Sequence, residues 1–179
     1  MNVRIISGKF GGRMIQSPGS ELTHPMSDRV RGSLFNIISN EITGAEVLDV
    51  FAGTGSLGLE ALSRGASSAT FIERDRLASK VLAENIETLG VKDLTVSVQI
   101  GVSTWIDKNR DKLFDLIFVD PPYNDMQFSV ISRLEESLTP NGMMILSHPS
   151  RVEVPPFQGL KIVDNRSYGT ASLTFYSKI

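Results

Sequence analysis

Apolar and polar positions alternate along this chain between short, almost unbroken apolar runs and longer stretches with helical spacing. "EVLDVF" at 46–51 is apolar except for Glu46 and Asp49, as expected of a strand buried on both faces. "LGLEALSRG" at 57–65 predicts a helix closed by Gly65, and "ATFIE" at 69–73 a second buried strand. The next helix runs through "RLASKVLAENIETLG", with Leu77, Val81, Leu82, Ile86 and Leu89 at helical spacing and Gly90 as its stop. "TVSVQI" (95–100), "FDLIFV" (114–119) and "MMILS" (143–147) predict three further strands, separated by a short helical turn near Trp105 and a helix near 126–138. Strand and helix alternate, which predicts an α/β fold with a mostly parallel sheet and helices on its faces.

Both ends break the rhythm. "HPSRVEVPPFQG" carries three prolines and excludes a long helix, after which "LKIVDNRSYGTASLTFYSK" reads as two strands joined at Tyr168-Gly169, an antiparallel hairpin at the sheet edge. At the front, "VRIISGKFGGRMIQ" resembles a hairpin with a glycine-rich bend, and "SDRVRGSLFNIISN" a helix capped by Ser27 that buries Val30, Leu34, Phe35 and Ile38. The expected organisation is a hairpin-plus-helix appendage over 1–40 and an α/β domain with a seven-stranded sheet over 41–179.

Length supports this division, since 179 residues make one full core and too little for two. The chain has no cysteine, which removes disulfides and thiolate metal sites and favours an intracellular compartment. No apolar run approaches the roughly 18 residues of a membrane span, and "MNVRIISGKFGG" lacks the apolar segment of a signal peptide. A soluble cytoplasmic protein without a membrane partner is expected. Charge adds one asymmetry. Residues 1–31 hold Arg4, Lys9, Arg13, Arg29 and Arg31 against Glu21 and Asp28, a balance of +3, which leaves −5 for the rest of a chain of net charge −2. A local basic face on an acidic body suits a polyanion that lands in one place, although a solvated basic arm would have the same composition.

The first chemical motif, "LDVFAGTGSLG", stands at the carboxyl end of the first buried strand. Gly53, Gly55 and Gly58 satisfy G-x-G-x-x-G between strand and helix, and Glu73 follows at the tip of the next strand, twenty residues after Gly53. That spacing suits a nucleoside cofactor whose ribose hydroxyls need a carboxylate. Asp49, four residues before Gly53, would repel a pyrophosphate and welcome a cationic amino-acid tail. S-adenosylmethionine has such a tail and no phosphate. The glycines could also serve only a tight strand-to-helix turn.

The second motif, "DPPY" at 120–123, lies at the carboxyl end of another predicted strand, on the sheet edge where open α/β folds bind ligands. Adjacent prolines remove two backbone donors and hold the preceding carbonyls outward. An exocyclic amine on a nucleobase is a poor nucleophile, because its lone pair is delocalised into the ring. Hydrogen bonds from that amine to the Asp120 carboxylate and the Pro121 carbonyl, stiffened by Pro122, would hold it for attack, with Tyr123 stacking on the base. A proline-capped strand end is the alternative; the two motifs together favour methylation of an amino group.

These stretches in this order, "RIISGKFGGR", "HPMSDRVRGSLFNII", "LDVFAGTGSLGLEALSRGA", "FIERD", "FDLIFVDPPY" and "YGTASLTFY", resemble the RsmD family of small-subunit ribosomal RNA guanine-N2 methyltransferases over essentially the whole chain. The resemblance implies a class I methyltransferase fold and methyl transfer from S-adenosylmethionine to N2 of one guanine in 16S ribosomal RNA, as naked RNA or in the assembled 30S particle. It implies a cofactor site of Asp49, Phe51, Ala52, Gly53, Thr54, Gly55, Ser56, Gly58, Glu73 and Arg74. It also implies a base site at Asp120, Pro121, Pro122 and Tyr123, and RNA contacts from Arg4, Lys9, Arg13, Arg29 and Arg31. A monomer is expected. Where family members carry an acid and a small residue after the third strand, this chain has Gly101-Val102, so adenine readout is unassigned.

Competing readings are an N6-adenine DNA or glutamine-side-chain methyltransferase, which more often presents Asn before the prolines, an NAD-dependent oxidoreductase, which has no use for "DPPY", and a silent RNA-binding module. His148 before Pro149 reads as a turn residue, His24 before Pro25 as structural, and Trp105 as core.

Overall fold

The computed structural model describes residues 2–18 and 26–179. The chain opens with a two-stranded antiparallel hairpin, β1 (Asn2–Arg4) and β2 (Met14–Gln16), in which Val3 faces Ile15. Helix α1 (Asp28–Ile37) follows, its first turn capped by the Ser27 hydroxyl accepting from the Val30 amide. The alternating body comprises β3 (Glu46–Val50), α2 (Ser56–Ser63), β4 (Ser68–Ile72), α3 (Arg76–Leu89), β5 (Thr95–Val98), α4 (Val102–Lys108), β6 (Phe114–Val119), α5 (Phe128–Ile131) and β7 (Leu138–Pro149). Strands β8 (Leu160–Tyr168) and β9 (Ala171–Lys178) complete it.

Seven strands form one sheet in the order β5-β4-β3-β6-β7-β9-β8. The first five in that order are parallel, while β9 pairs antiparallel with both β7 and β8. Strand order reverses at β3, whose neighbours β4 and β6 lead away to opposite edges. A crevice opens at the carboxyl ends of strands at such a point. The central strands β3 and β6 are covered on both faces, which explains their almost unbroken apolar runs, whereas the edge strand β5 leaves Val96 exposed. Along β6, Leu116 and Phe118 enter one core cluster and Ile117 and Val119 the other.

The first cluster contains the front of the chain. Val3, Ile5, Ile15, Leu34 and Phe35 pack with Leu59, Phe71 and Phe118, and the Phe35 and Phe118 rings meet at 5.4 Å. Hairpin and first helix therefore share a core with the sheet.

Four local expectations are corrected. The helix near 126–138 is only the four residues of α5, started at Gln127 (φ 51) without a side-chain cap, followed by a 3-10 helix over Ser132–Ser137. "MMILS" is the middle of a twelve-residue β7, lengthened by an irregularity that advances its register from Leu138 to Met143 while β6 moves only from Phe114 to Leu116. Leu77 is 52% exposed, because the inward stripe of α3 begins at Ala78 and includes Asn85. Trp105 is core, as expected. His148 is no turn residue: it is buried within β7, between the Pro149 carbonyl and the Thr174 hydroxyl. His24 and Pro25 lie outside the described residues.

Candidate functional site

The glycine loop leaves β3 on a strained step, since Phe51 has φ 55, uncommon for a residue with a side chain. The Ala52 amide donates to Ile72 at the end of β4, tying the loop to the neighbouring strand. The glycines differ in purpose. A Cβ at Gly58 would stand 2.3 Å from the buried Phe71 ring, so this position holds α2 against the sheet. At Gly53, with φ +56, a Cβ would meet nothing within 4 Å, so this glycine borders open space.

Two carboxylates hold the loop from neighbouring strands. Asp49, buried on β3, accepts the Gly58 amide at 2.9 Å, capping α2 where the N-cap Gly55 has no side chain to do so. Its other oxygen takes no hydrogen bond from the described residues. Glu73 accepts the Gly53 amide at 2.9 Å and the Asp75 amide at 2.7 Å. Burial pushes the Asp49 carboxyl well above the usual range; the Gly58 amide opposes this, while the charges of Asp120 and Glu73 add to it. Three acids, on β3 and just after β4 and β6, thus converge, and none of them is ion-paired among the described residues. Such a cluster suits a cationic ligand group, which would relieve both the burial cost and the repulsion. Arg74 is exposed just beyond Glu73.

Asp120 follows β6 directly, beside the loop after β3. Burial raises its carboxyl to about 6, and the neighbouring Ser147 hydroxyl opposes that rise. Pro121 is buried and Pro122 exposed, so the first proline anchors the loop and the second stiffens its outer side. Tyr123 is 38% exposed, its hydroxyl 2.7 Å from that of Ser147 on β7. An acid and a partly exposed ring therefore stand together at the crevice.

The basic residues of the front segment separate. Arg31 is fully buried: its guanidinium donates to the carbonyls of Met26 and Arg4 and to Asp28, with Glu60 at 3.7 Å. This corrects its expected place in an RNA contact, because a side chain with no exposed surface cannot reach a phosphate. Arg4 is exposed but paired with Asp28 at 3.2 Å. Arg29 is exposed on α1. Lys9 and Arg13 flank the Phe10 ring at 5.5 and 5.8 Å, and Arg13 also donates to the Thr88 carbonyl near the end of α3.

Four residues of consequence escaped the sequence reading. Glu60, fully buried in α2, accepts the Ile6 and Ser7 amides and pairs with Arg64. Asn85 accepts from the Gln16 amide and donates to the carbonyls of Gln16 and Thr54, joining the hairpin to the glycine loop. Ser147 meets the Tyr123 hydroxyl at the base site, and Ser63 accepts from the Phe10 amide. For Glu60 and Asn85 the available signal was a polar residue inside an apolar helical stripe; the two serines offered none. Among the described residues, no group of three or more His, Asp or Glu could hold a metal ion, and no helix is long and apolar enough to cross a membrane.

Residues 3–177 match the family model described as Conserved hypothetical protein 95. The chain is 43% identical over 121 residues to the ribosomal RNA small subunit methyltransferase D of Escherichia coli (strain K12), an alignment covering 68% of this chain and 60% of that protein. It is 33% identical over 179 residues to the protein of the same name in Haemophilus influenzae, covering 97% of this chain and 93% of the relative. A solved Escherichia coli structure named as a methyltransferase superposes with a TM-score of 0.86 at 32% identity, over 99% of this chain and 98% of that one.

Proposed function

The chain belongs to the RsmD family of ribosomal RNA methyltransferases, and from that premise we propose that it methylates the exocyclic N2 amine of a guanine in small-subunit ribosomal RNA, using S-adenosylmethionine. The observation that carries the reading is the meeting, at the reversal of strand order, of a glycine loop held by two carboxylates with an aspartate and tyrosine just after the adjoining strand.

Asp49 and Glu73 fit this cofactor. The unshared oxygen of Asp49 keeps its lone pairs for an ammonium, whose charge would offset the three acids, and each Glu73 oxygen holds one amide and keeps capacity for a ribose hydroxyl. Gly53, Thr54 and Gly55 would border the cofactor, with Phe51, Ala52 and Ser56 shaping the loop and Arg74 at its rim. When bound, S-adenosylmethionine supplies an electrophilic methyl on sulfur.

The rest is the work of this chain's residues. Asp120 and the Pro121 carbonyl accept the two hydrogens of the guanine amine, fixing its plane and orienting its lone pair. Asp120 needs to be ionised to accept, and with its carboxyl near 6 it is ionised at neutral pH while remaining basic enough to receive the surplus proton. Tyr123 stacks on the base. Guanine N2 lies on the edge that pairs with cytosine, so the base enters unpaired or flipped. Arg4, Lys9, Arg13 and Arg29 hold the backbone meanwhile, and positioning by phosphate contact does not specify sequence.

The test is transfer of a tritiated methyl group to unmodified small subunits, naked ribosomal RNA, DNA and protein in parallel, with the product identified after digestion. Label in N2-methylguanosine is expected. Label in N6-methyladenosine or methylglutamine would overturn the reading in favour of the families that more often carry Asn at the position of Asp120.

A further inference from the structure

Resting on the cofactor reading above, we infer that Asn85 is a positioning residue of the cofactor loop, and that through it the amino-terminal hairpin forms part of the cofactor site. Asn85 is buried on the inner face of α3. Its carboxamide bonds only to backbone: Oδ1 accepts from the Gln16 amide at 2.8 Å, while Nδ2 donates to the Gln16 carbonyl at 2.9 Å and to the Thr54 carbonyl at 3.0 Å. Gln16 ends β2, and Thr54 lies between Gly53 and Gly55. One side chain thus grips the hairpin with one end and the glycine loop with the other.

Donor counting makes this junction stiff. A carboxamide has two hydrogens to donate, and here both are used. Turning the group over would set its oxygen against two carbonyls and its hydrogens against an amide, so only one orientation is open to it. The paired bonds to Gln16 fix the carboxamide plane, and the remaining hydrogen then points at Thr54. An amide is also an expensive choice at this position. Ala78, Val81, Leu82, Ile86 and Leu89 make the rest of the inward stripe apolar, and a leucine would continue it with better helix propensity and no buried polar group.

What the amide holds is the part of the loop that borders open space. Glu73 takes the Gly53 amide, Asn85 takes the Thr54 carbonyl, and the Gly55 amide donates to the Ala52 carbonyl at 2.8 Å. The peptide between Gly53 and Thr54 is left as the one in this loop with neither group hydrogen bonded among the described residues. It stands where a Cβ on Gly53 would meet nothing within 4 Å. Both of its neighbours are fixed, so its direction is set before the cofactor arrives. Leu82, one turn before Asn85, adds a second contact from α3, since a Cβ on Gly55 would come within 2.3 Å of it. Without Asn85 the Thr54 carbonyl loses its donor, and the hairpin loses its hold on the loop.

The experiment measures calorimetric binding of S-adenosylhomocysteine to wild type, Asn85→Ala, Asn85→Asp and Leu89→Ala, with the denaturant stability of each. Hydrogen exchange of the hairpin amides is followed in wild type with and without this ligand. Asn85→Ala is expected to weaken binding about three- to tenfold, as for loss of one ordinary hydrogen bond that positions the site. Asn85→Asp can still accept the Gln16 amide but has no hydrogen for Thr54, and should bind no better than Asn85→Ala. Leu89→Ala opens a cavity one turn further along the same stripe; it should lower stability while leaving affinity within about twofold of wild type. In wild type the ligand should slow exchange of the Gln16 amide, which lies in the hairpin and not in the loop. Wild-type affinity in Asn85→Ala or Asn85→Asp, an equal loss in Leu89→Ala, or a Gln16 amide indifferent to the ligand would each overturn the inference. The exchange measurement needs no variant, so it decides even where Asn85→Ala does not fold. A wild type that binds no S-adenosylhomocysteine would instead overturn the cofactor reading, and the inference with it.

Discussion

Asp120→Asn keeps the outline of the side chain and removes its charge, and it should make the protein more stable as it makes it inactive. Burial holds the Asp120 carboxyl at about 6 against an ordinary 3.8. The folded chain therefore holds this proton more tightly than the unfolded chain, and its stability falls as pH rises from the lower value through the higher. Below 3.8 the cost is absent, and above 6 it is fully present. At about 1.36 kcal/mol per unit the difference is about 3 kcal/mol; partial exposure of the residue and solvent screening bring the expectation to about 1–2 kcal/mol. For a chain of this size that is a gain of about 2–8 °C in melting temperature. The assay is thermal unfolding of both proteins at pH 8 and pH 5. The gain should appear at pH 8 and shrink to about half at pH 5, where the wild-type group is largely protonated when folded. Methyl transfer should be lost while cofactor affinity stays within a few fold, since the missing bond is made to the base. An Asn variant no more stable than wild type at pH 8, or equally stabilised at both pH values, would refute the argument that this carboxylate is held at a cost for its chemistry.

Glu73→Ala should weaken S-adenosylmethionine binding by about 1–3 kcal/mol, read by equilibrium binding, because it removes a charged acceptor and frees the Gly53 amide it holds. Gly58→Ala should destabilise the fold by about 1–3 kcal/mol in denaturant titrations, since the added Cβ overlaps a fully buried ring. Arg31→Ala should cost about 3 kcal/mol of stability by breaking a buried charged network, with the salt dependence of RNA binding unchanged because Arg31 is enclosed. Arg29→Ala should do the reverse, flattening that dependence by about one unit of slope while stability holds.

Most of the fold was legible because the signals that specify it are local. Apolar runs marked the parallel strands, Ser27 marked the start of α1, and Tyr168-Gly169 marked the last hairpin. The glycine loop and "DPPY" were legible because one sheet edge gathers whatever stands at the strand ends. What escaped depends on contacts between distant segments. Arg31 reads as a surface cation in sequence, since nothing in "DRVR" says that its partners are a carbonyl 27 residues earlier and an acid in α2. Ser147 is one serine at the end of an apolar strand, and only the pairing of β6 with β7 places it against Tyr123. Leu77 shows the opposite limit, because periodicity gives the stripe of α3 but not the turn at which it meets the core.

The arrangement of the front segment bears on how large the substrate must be. Asn85 ties Gln16 to Thr54 in the glycine loop, so that end of the hairpin lies beside the crevice. The bend lies at the other end: Gly8 packs on Ser63, where an added Cβ would come within 2.0 Å of the carbonyl, and Arg13 reaches Thr88. Eight residues of α2 rise about 12 Å, so Lys9, held at the far end of α2 by Ser63, stands roughly a helix length from the glycine loop, whereas Arg13 reaches α3 one turn beyond Asn85. Glu60 and Ser63 hold that bend to α2 through the Ile6, Ser7, Lys9 and Phe10 amides, so it is not free to fold over the site. A short single strand threading the base site would leave Lys9 unused, so phosphate contact at Lys9 requires RNA that extends well beyond the flipped guanine, as in a folded domain or an assembled particle.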